Sequence, residues 1–405
     1  MQSILIVGVI IITGFIFGEL AVKFRLPKVT GYIIAGVILN PASFHFIPED
    51  FPNHTGLITN ISLAFITFSV GGTLLLSGIK KLGKTILYIT TWEAELAFIA
   101  VAAGFLLISP FFIHISEATW VATFIPISLL LASLASPTDP SATLAVTHQY
   151  KAKGDVTSTI MGVSVLDDVL GIVNYSLAVV VAGSLILHKA FSVDSLLLKP
   201  AAIIFGGVGL GILFGSIFNK VSYFIRKETE GVFIVATLGL LFLCYGIAQL
   251  IGADELLATM AMGAIVVNFN PEREKIFMIL ERPEELIFVL FFTLSGMSLN
   301  FGILAKSAIL VVFFFIFRAL GKAAGSFIGA SISGAEKKVR RYTAGGLIPQ
   351  GGIVIGLALM IKQQTAFADI ADLIISITIG STVIHELVGP VFAKMALKKA
   401  GEIKV

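Results

Sequence analysis

The sequence predicts an all-α polytopic membrane protein of about thirteen transmembrane helices, and three observations carry that reading. Hydrophobic residues make up 57% of the chain, charged residues only 13%, and the mean hydropathy is +0.98. Soluble domains carry about 25% charged residues, so a water-soluble fold is excluded. Apolar windows of roughly 18–25 residues recur from end to end, each long enough to cross a hydrocarbon core of ~30 Å. The stretches between them are short, with the basic residues gathered on alternate ones, which leaves little room for a soluble domain. A transmembrane barrel would instead alternate in segments of about ten residues. The net charge of +3 reflects this loop bias rather than an anionic partner. The single Cys244, inside "LFLCYGIAQL", supports neither a disulfide framework nor a thiol-rich metal site.

Splitting the apolar runs at charged or Gly/Pro-rich breaks gives the elements in order. The first span, near 3–24, is too long for a signal-peptide core and lacks a small-residue cleavage site, so it reads as a membrane helix. Spans follow near 29–47, 57–78, 85–109, 118–147 and 155–187, then near 198–219, 231–251 and 254–269. The last four fall near 284–300, 303–332, 342–362 and 369–397, and no further domain is expected after them. The Gly-rich "FGGVGLGILFG" of the seventh span reads as close helix packing, because no strand precedes it to make a phosphate loop. Taking alternate loops, one side receives Lys23/Arg25/Lys28, Lys80/Lys81/Lys84, Lys151/Lys153 and Lys220/Arg226/Lys227. The same side receives Arg273/Lys275/Arg282, Lys337/Lys338/Arg340/Arg341 and the C-terminal lysines. The excess of basic residues predicts that this side is cytoplasmic, with the N-terminus outside and the C-terminus inside.

Two spans carry helix-breaking clusters near their middles. The fifth contains "LASPTDPSATLAV", in which Ser136, Pro137 and Pro140 surround Thr138 and Asp139. The twelfth contains "GGLIPQGGIVIG", with Pro349, Gln350, Gly351 and Gly352. Proline removes a donor and clashes with the preceding turn, so each cluster should unwind its helix. Unwound backbone at membrane depth is tolerated only against protein or a water-filled cavity. If spans 1–6 and 8–13 are two repeats, the broken spans hold the same position in each, and the odd offset inverts one repeat in the membrane. Paired interrupted helices in inverted repeats are the strongest sequence pointer to a secondary transporter's binding site.

Charges collect on the spans around these breaks. The sixth supplies Asp167 and Asp168 in "VSVLDDVLGIV", and the eleventh supplies Arg318 and Lys322, one turn apart. A carboxylate in hydrocarbon costs several kcal/mol, and two adjacent ones repel. Consecutive helical residues point about 100° apart, so the two acids cannot do one job in one place. One can face a cavity while the other meets a cation on a neighbouring helix. A buried ion pair fixing helix packing accounts for one aspartate with Lys322 and leaves the second unexplained. A monovalent cation wants the deprotonated oxygens that a proton also wants, and that competition is the physical core of cation/proton exchange. Glu93 and Glu95 on the fourth span and His385 and Glu386 on the thirteenth read equally as members of a proton path or as buried hydrogen-bonding residues.

Several motifs together resemble a known family. "LPKVTGYIIAGVILNP", "SPTDPSATLAV", "VLDDVLGI", "FFTLSGMSLNF", "GKAAGSFIGA" and "GLIPQGGIVIGLAL" occur in the order found in monovalent cation:proton antiporters. The likeness runs from about residue 20 to 390 and is closest to the sodium/proton antiporters of the Nap and NhaA type, in the branch that also holds Kef-type potassium systems. The resemblance implies an NhaA-like fold with two crossed broken helices, elevator-like alternating access and a homodimer in a prokaryotic inner membrane. It implies a dimerisation domain of residues 1–83 and 230–302, a core ion-transport domain of 84–187 and 303–398, and a linker helix in 188–229. By motif position, Asp168 would bind the transported Na⁺ or Li⁺ and the proton. Asp167 would pair with Lys322 and exchange partners during transport, joining Asp168 at the transported Na⁺. Lys322 is preferred to Arg318 as the charge partner because "KxxGxxxGA" follows it. Thr138 and Asp139 would line the site and offset half-helix charges, and the paired aspartates look like those of electrogenic members.

The chain departs from the family pattern in two places. "IPQGG" lacks the acid that many relatives carry after their glycine, and the nucleotide-binding domain of Kef-type members is not expected here. K⁺/H⁺ exchange on the same scaffold is the alternative to Na⁺/H⁺ exchange. A passive channel would not need a coupled proton site, and a sodium-coupled symporter of the related fold would favour polar broken helices without an aspartate pair. Metal-ligand spacings, nucleophile–base pairs and catalytic loops are absent from the sequence, so neither an enzyme nor a cofactor is expected, nor a nucleic-acid partner.

Overall fold

The computed structural model describes the chain apart from residues 1, 25, 27, 42–46, 49–50, 52–54, 114, 116–117, 140–142, 144–145, 148–149, 188–197, 226–227 and 404–405. Pro140 of the first break, and Arg25, Arg226 and Lys227 of the basic loops, therefore lie outside the described residues. Among the described residues the regular structure is helical throughout, in fourteen α-helices. They are α1 Gln2–Lys23, α2 Lys28–Ile38, α3 Gly56–Thr73, α4 Leu76–Phe112, α5 Ile125–Ser133, α6 Asp155–Ile186 and α7 Lys199–Ile225. Then come α8 Glu230–Ile251, α9 Glu255–Phe269, α10 Arg273–Met297, α11 Phe301–Ile332, α12 Lys337–Gly346, α13 Gly352–Gln363 and α14 Ala368–Ala400. Eight of these are long and apolar enough to cross a membrane, and four shorter stretches are equally apolar. The chain is a membrane protein built of helices.

Both proline clusters interrupt helix. α5 ends at Ser133 and the chain runs non-helically through Asp139, while α12 ends at Gly346 and α13 begins at Gly352. The basic segment 273–283, whose charges suggest a loop, is instead helical and continuous with the tenth span. Its apolar residues Ile276, Ile279 and Leu280 fall at helical spacing and are buried, which holds the segment in helix despite Pro283. α4 bends at Gly83, whose φ of 71° lies in the left-handed region that favours glycine.

The chain divides into two compact units. One comprises 55–81 and 191–291. Within it α7 lies against α9 along the glycines of "FGGVGLGILFG": a Cβ on Gly211 would stand 2.2 Å from the Ala258 carbonyl oxygen, so only glycine allows this approach. The hydroxyls of Thr67 on α3 and Thr259 on α9 hydrogen-bond at 2.6 Å.

The other unit comprises 1–54, 82–190 and 292–405 and contains both helix breaks. There α2 is tied to the residues following Phe292 by Asn40, whose side-chain amide donates to the Met297 and Leu299 carbonyls at 2.9 and 2.7 Å. A second glycine stripe, Gly321, Gly325 and Gly329, recurs every four residues along α11 and presses that helix against α4. Cβ atoms on these residues would come within 2.4–2.7 Å of the Ala97, Glu93 and Ile89 backbone. Two helices that carry buried charge are thereby brought to backbone contact.

Candidate functional site

Position 138 shows how the break makes a site. Pro137 has no amide hydrogen and α5 has already ended, so the backbone of Thr138 is free to turn toward α6. Its N–H donates to Asp167 Oδ1 at 3.3 Å and its hydroxyl donates to Asp167 Oδ2. Lys322, from α11, donates to the Thr138 hydroxyl oxygen at 2.7 Å, to Glu93 Oε2 at 2.9 Å and to Asp167 Oδ2 at 3.2 Å. Glu93, Asp167 and Lys322 have no solvent exposure and Thr138 almost none. One ammonium thus serves two carboxylates in a dry setting, where an unpaired charge would cost several kcal/mol. Glu93 reaches it because the α11 glycine stripe brings α4 so near.

Asp168 points elsewhere, as successive residues of a helix must. Its side chain is buried, with 6% of its surface exposed, and among the described residues its carboxylate makes no hydrogen bond or ion pair. The two aspartates are therefore chemically distinct. Asp167 is committed to a lysine and a threonine, whereas Asp168 offers bare oxygens.

Arg318, one turn before Lys322 on α11, takes no part in that ion pair. Its guanidinium donates to four backbone carbonyls: Ala135 at 2.9 Å, Pro137 at 2.7 Å, Ile348 at 2.7 Å and Pro349 at 3.3 Å. The first two follow the end of α5 and the others follow the end of α12. A helix end leaves carbonyls without partners and a partial negative charge. The fork of Arg318 serves carbonyls of both unwound segments, just beyond those ends, at once, which a single ammonium could not. Two further bonds join the breaks: Gln350 Nε2 donates to the Leu134 carbonyl at 2.8 Å, and Asp139 N donates to Pro349 O at 3.2 Å. Gly351 permits the crossing, since a Cβ there would stand 2.6 Å from Cβ of Asp139.

The remaining residues singled out by sequence surround this centre. Pro137 packs on Gly171 of α6 and Pro349 on Gly389 of α14. Glu386 is wholly buried, and neither of its carboxyl oxygens has a hydrogen-bond partner among the described residues. Glu95 and His385 stand outside the lysine cluster. Glu95 accepts from Asn174 Nδ2 at 3.3 Å, and that amide also donates to Ser136 Oγ at 3.4 Å. His385 Nδ1 meets the carbonyl of Ser381 on its own helix at 2.8 Å, and the ring packs on Phe315 with centroids 4.7 Å apart. Asn174 is the residue that sequence reasoning passed over. Its signal was spacing, for it follows Asp167 by two helical turns on the same face.

Comparison with known proteins gives a consistent picture. A family described as "Sodium/hydrogen exchanger, transmembrane" matches residues 7–399. A Na(+)/H(+) antiporter of Enterococcus hirae is 23% identical over 97% of this chain and 99% of its own length. An ammonium/H(+) antiporter subunit, AmhT of Alkalihalophilus pseudofirmus, is 22% identical over 87% of this chain and 84% of its own. Among solved structures, the sodium proton antiporter MjNhaP1 from Methanocaldococcus jannaschii shares the fold. It superposes with a TM-score of 0.80 over 98% of this chain and 99% of that one, at 20% identity.

Proposed function

The chain belongs to the sodium/hydrogen exchanger family of transmembrane transporters, and we propose that it exchanges Na⁺, or Li⁺, for H⁺ through Asp168. The observation that carries this is the contrast within the aspartate pair. Asp168 has unengaged oxygens beside an Asp167 already balanced by Lys322 and Thr138. A carboxylate so placed can take a cation only when deprotonated and a proton only when empty of cation, which couples the two flows. When a cation engages both aspartates, Lys322 keeps a partner in Glu93, so releasing Asp167 does not strand a buried charge. Asp139 and Glu386 line the crossing, and Arg318 holds the broken ends in place.

Alternating access is read as an elevator movement of a core made from 84–187 and 303–398 against a scaffold of 1–83 and 230–302, with 188–229 as the linker. Thirteen spans in inverted repeats, a homodimer in a prokaryotic inner membrane, an outside N-terminus and a cytoplasmic C-terminus complete this reading. Basic loop bias supports the orientation. A larger monovalent cation, K⁺ or NH₄⁺, is the second reading. It is favoured by the likeness to an ammonium/H(+) antiporter subunit.

The test is cation-induced dissipation of a pH gradient in vesicles holding the purified protein, comparing Na⁺, Li⁺, K⁺ and NH₄⁺. The wild type should respond first to Na⁺ and Li⁺, and Asp168→Asn should abolish the response. Retained exchange in that variant would remove the central assignment; a response confined to K⁺ or NH₄⁺ would transfer it to the second reading.

A further inference from the structure

The helix that carries the aspartates is held at its other end by the last described turn of the chain. α6 begins at Asp155, and its first amides have no partners within the helix. Glu402, just past the end of α14, occupies them. Its Oε1 accepts from Val156 N at 2.8 Å, and its Oε2 accepts from Thr157 N at 2.8 Å and from the Thr157 hydroxyl at 2.6 Å. A carboxylate on a helix N-terminus also meets the positive end of the helix dipole. The approach depends on Gly154, where a Cβ would stand 2.3 Å from Glu402 Cδ. The turn itself is fixed. Gly401 adopts φ 77° to close α14, and Glu402 N returns to the Leu397 carbonyl at 3.0 Å. Ile403 is buried in one cluster with Val156 and Ile160 of α6, Ile89 of α4, Ala330 of α11 and Val339 of α12. Those helices carry Asp167, Glu93 and Lys322 and lead into the second break.

We propose that Glu402 is a positioning residue for the ion site. Seated on the N-terminal amides of α6, it sets the axial position of the helix that presents Asp167 and Asp168, and so couples the C-terminal turn of the core to cation affinity. Three turns, about 16 Å, separate Val156 from Asp167. An α-helix transmits an axial shift over that length, while the bonds of Asp167 to Thr138 and Lys322 hold only within hydrogen-bond reach. The inference rests on the antiport reading above and makes Glu402 part of how that site is tuned.

The experiment measures exchange in proteoliposomes as a function of cation concentration for the wild type, Glu402→Gln, Glu402→Asp and Thr157→Val, with amide hydrogen exchange at Val156 and Thr157 on the same proteins. Glu402→Gln, which trades an acceptor for a donor facing two N–H groups, should speed amide exchange there. It should raise the cation KM about threefold or more with kcat nearly unchanged. Glu402→Asp keeps the charge and should fall between, and Thr157→Val, which removes only one bond, should give a smaller shift of the same sign. If Glu402→Gln cannot be purified folded, the graded shift in the other two decides the matter. Faster amide exchange with an unchanged KM, or kcat and folded yield falling together, would overturn the proposal and leave Glu402 a cap. A wild type that exchanges no cation would instead reject the antiport reading, and the amide data would still report whether the cap exists.

Discussion

Two cations one turn apart on α11 have unlike work, and the chemistry of each side chain explains the division. Arg318 must serve carbonyls that diverge from two helix ends, and a planar fork with five donors does so. Lys322 must serve two carboxylates and a hydroxyl from one point, which suits a compact ammonium. Arg318→Lys should therefore keep the charge and lose function. At least two carbonyls would be left buried without a donor, at about 1–3 kcal/mol each. Exchange is expected to fall about tenfold or more, since 1.4 kcal/mol is a factor of ten, with a lower melting temperature in detergent. Wild-type rates in this variant would show that charge alone suffices. Lys322→Ala should act differently. It strands Glu93 beside Asp167, and breaking such a buried pair costs about 3–5 kcal/mol, so the loss should appear first in thermal stability.

At the scale of the element, small residues decide which helices meet. The stripe Gly321, Gly325 and Gly329 brings α11 against α4 closely enough for Lys322 to reach Glu93 across the interface. Gly325→Leu would push the Glu93 backbone away, because even a Cβ at 325 stands 2.4 Å from Glu93 Cα. Overpacking of this kind costs about 1–3 kcal/mol. The expected result is a lower melting temperature and weak exchange, whereas Gly→Ala at Gly239, which meets open space, should change neither. Equal tolerance at both positions would show that the α4–α11 contact does not govern the site. The helix breaks belong to this scale too. Each ends a helix inside the protein, and carbonyls at or just beyond each end are met by Arg318 or by the other break.

For the whole molecule, the charges of the site bear on what crosses the membrane in one cycle. If more protons than cations cross in each cycle, each turnover moves net charge. Transport by purified protein in liposomes should then accelerate or slow with an imposed potential, by up to about 2.3 kcal/mol per charge per 100 mV. A rate indifferent to potential would exclude this stoichiometry while leaving the exchange itself intact. Much of this protein was legible in the sequence because bilayer chemistry is severe. Water is absent, so helices must be apolar and long, breaks must have a purpose, and a lone pair of acids stands out. The apolar windows, the two proline clusters, the aspartates, Arg318 and Lys322 were all visible for that reason. Partner choice was not. Glu93 and Glu95 lie two residues apart in "WEAEL" and look alike, yet one is wholly buried on Lys322 and the other is half-buried beside Asn174. The 273–283 segment misled for a related reason, since its charges suggested a loop while its buried isoleucines and leucine held it helical. Composition and local pattern thus determined a helical membrane protein with two interrupted helices and charge beside them, because those follow from the cost of exposing polar groups to lipid. Only the tertiary structure decided that Arg318 ties the breaks, that Glu93 shares Lys322 and that Glu402 seats α6, because each depends on residues far apart in the chain arriving within about 3 Å of one another.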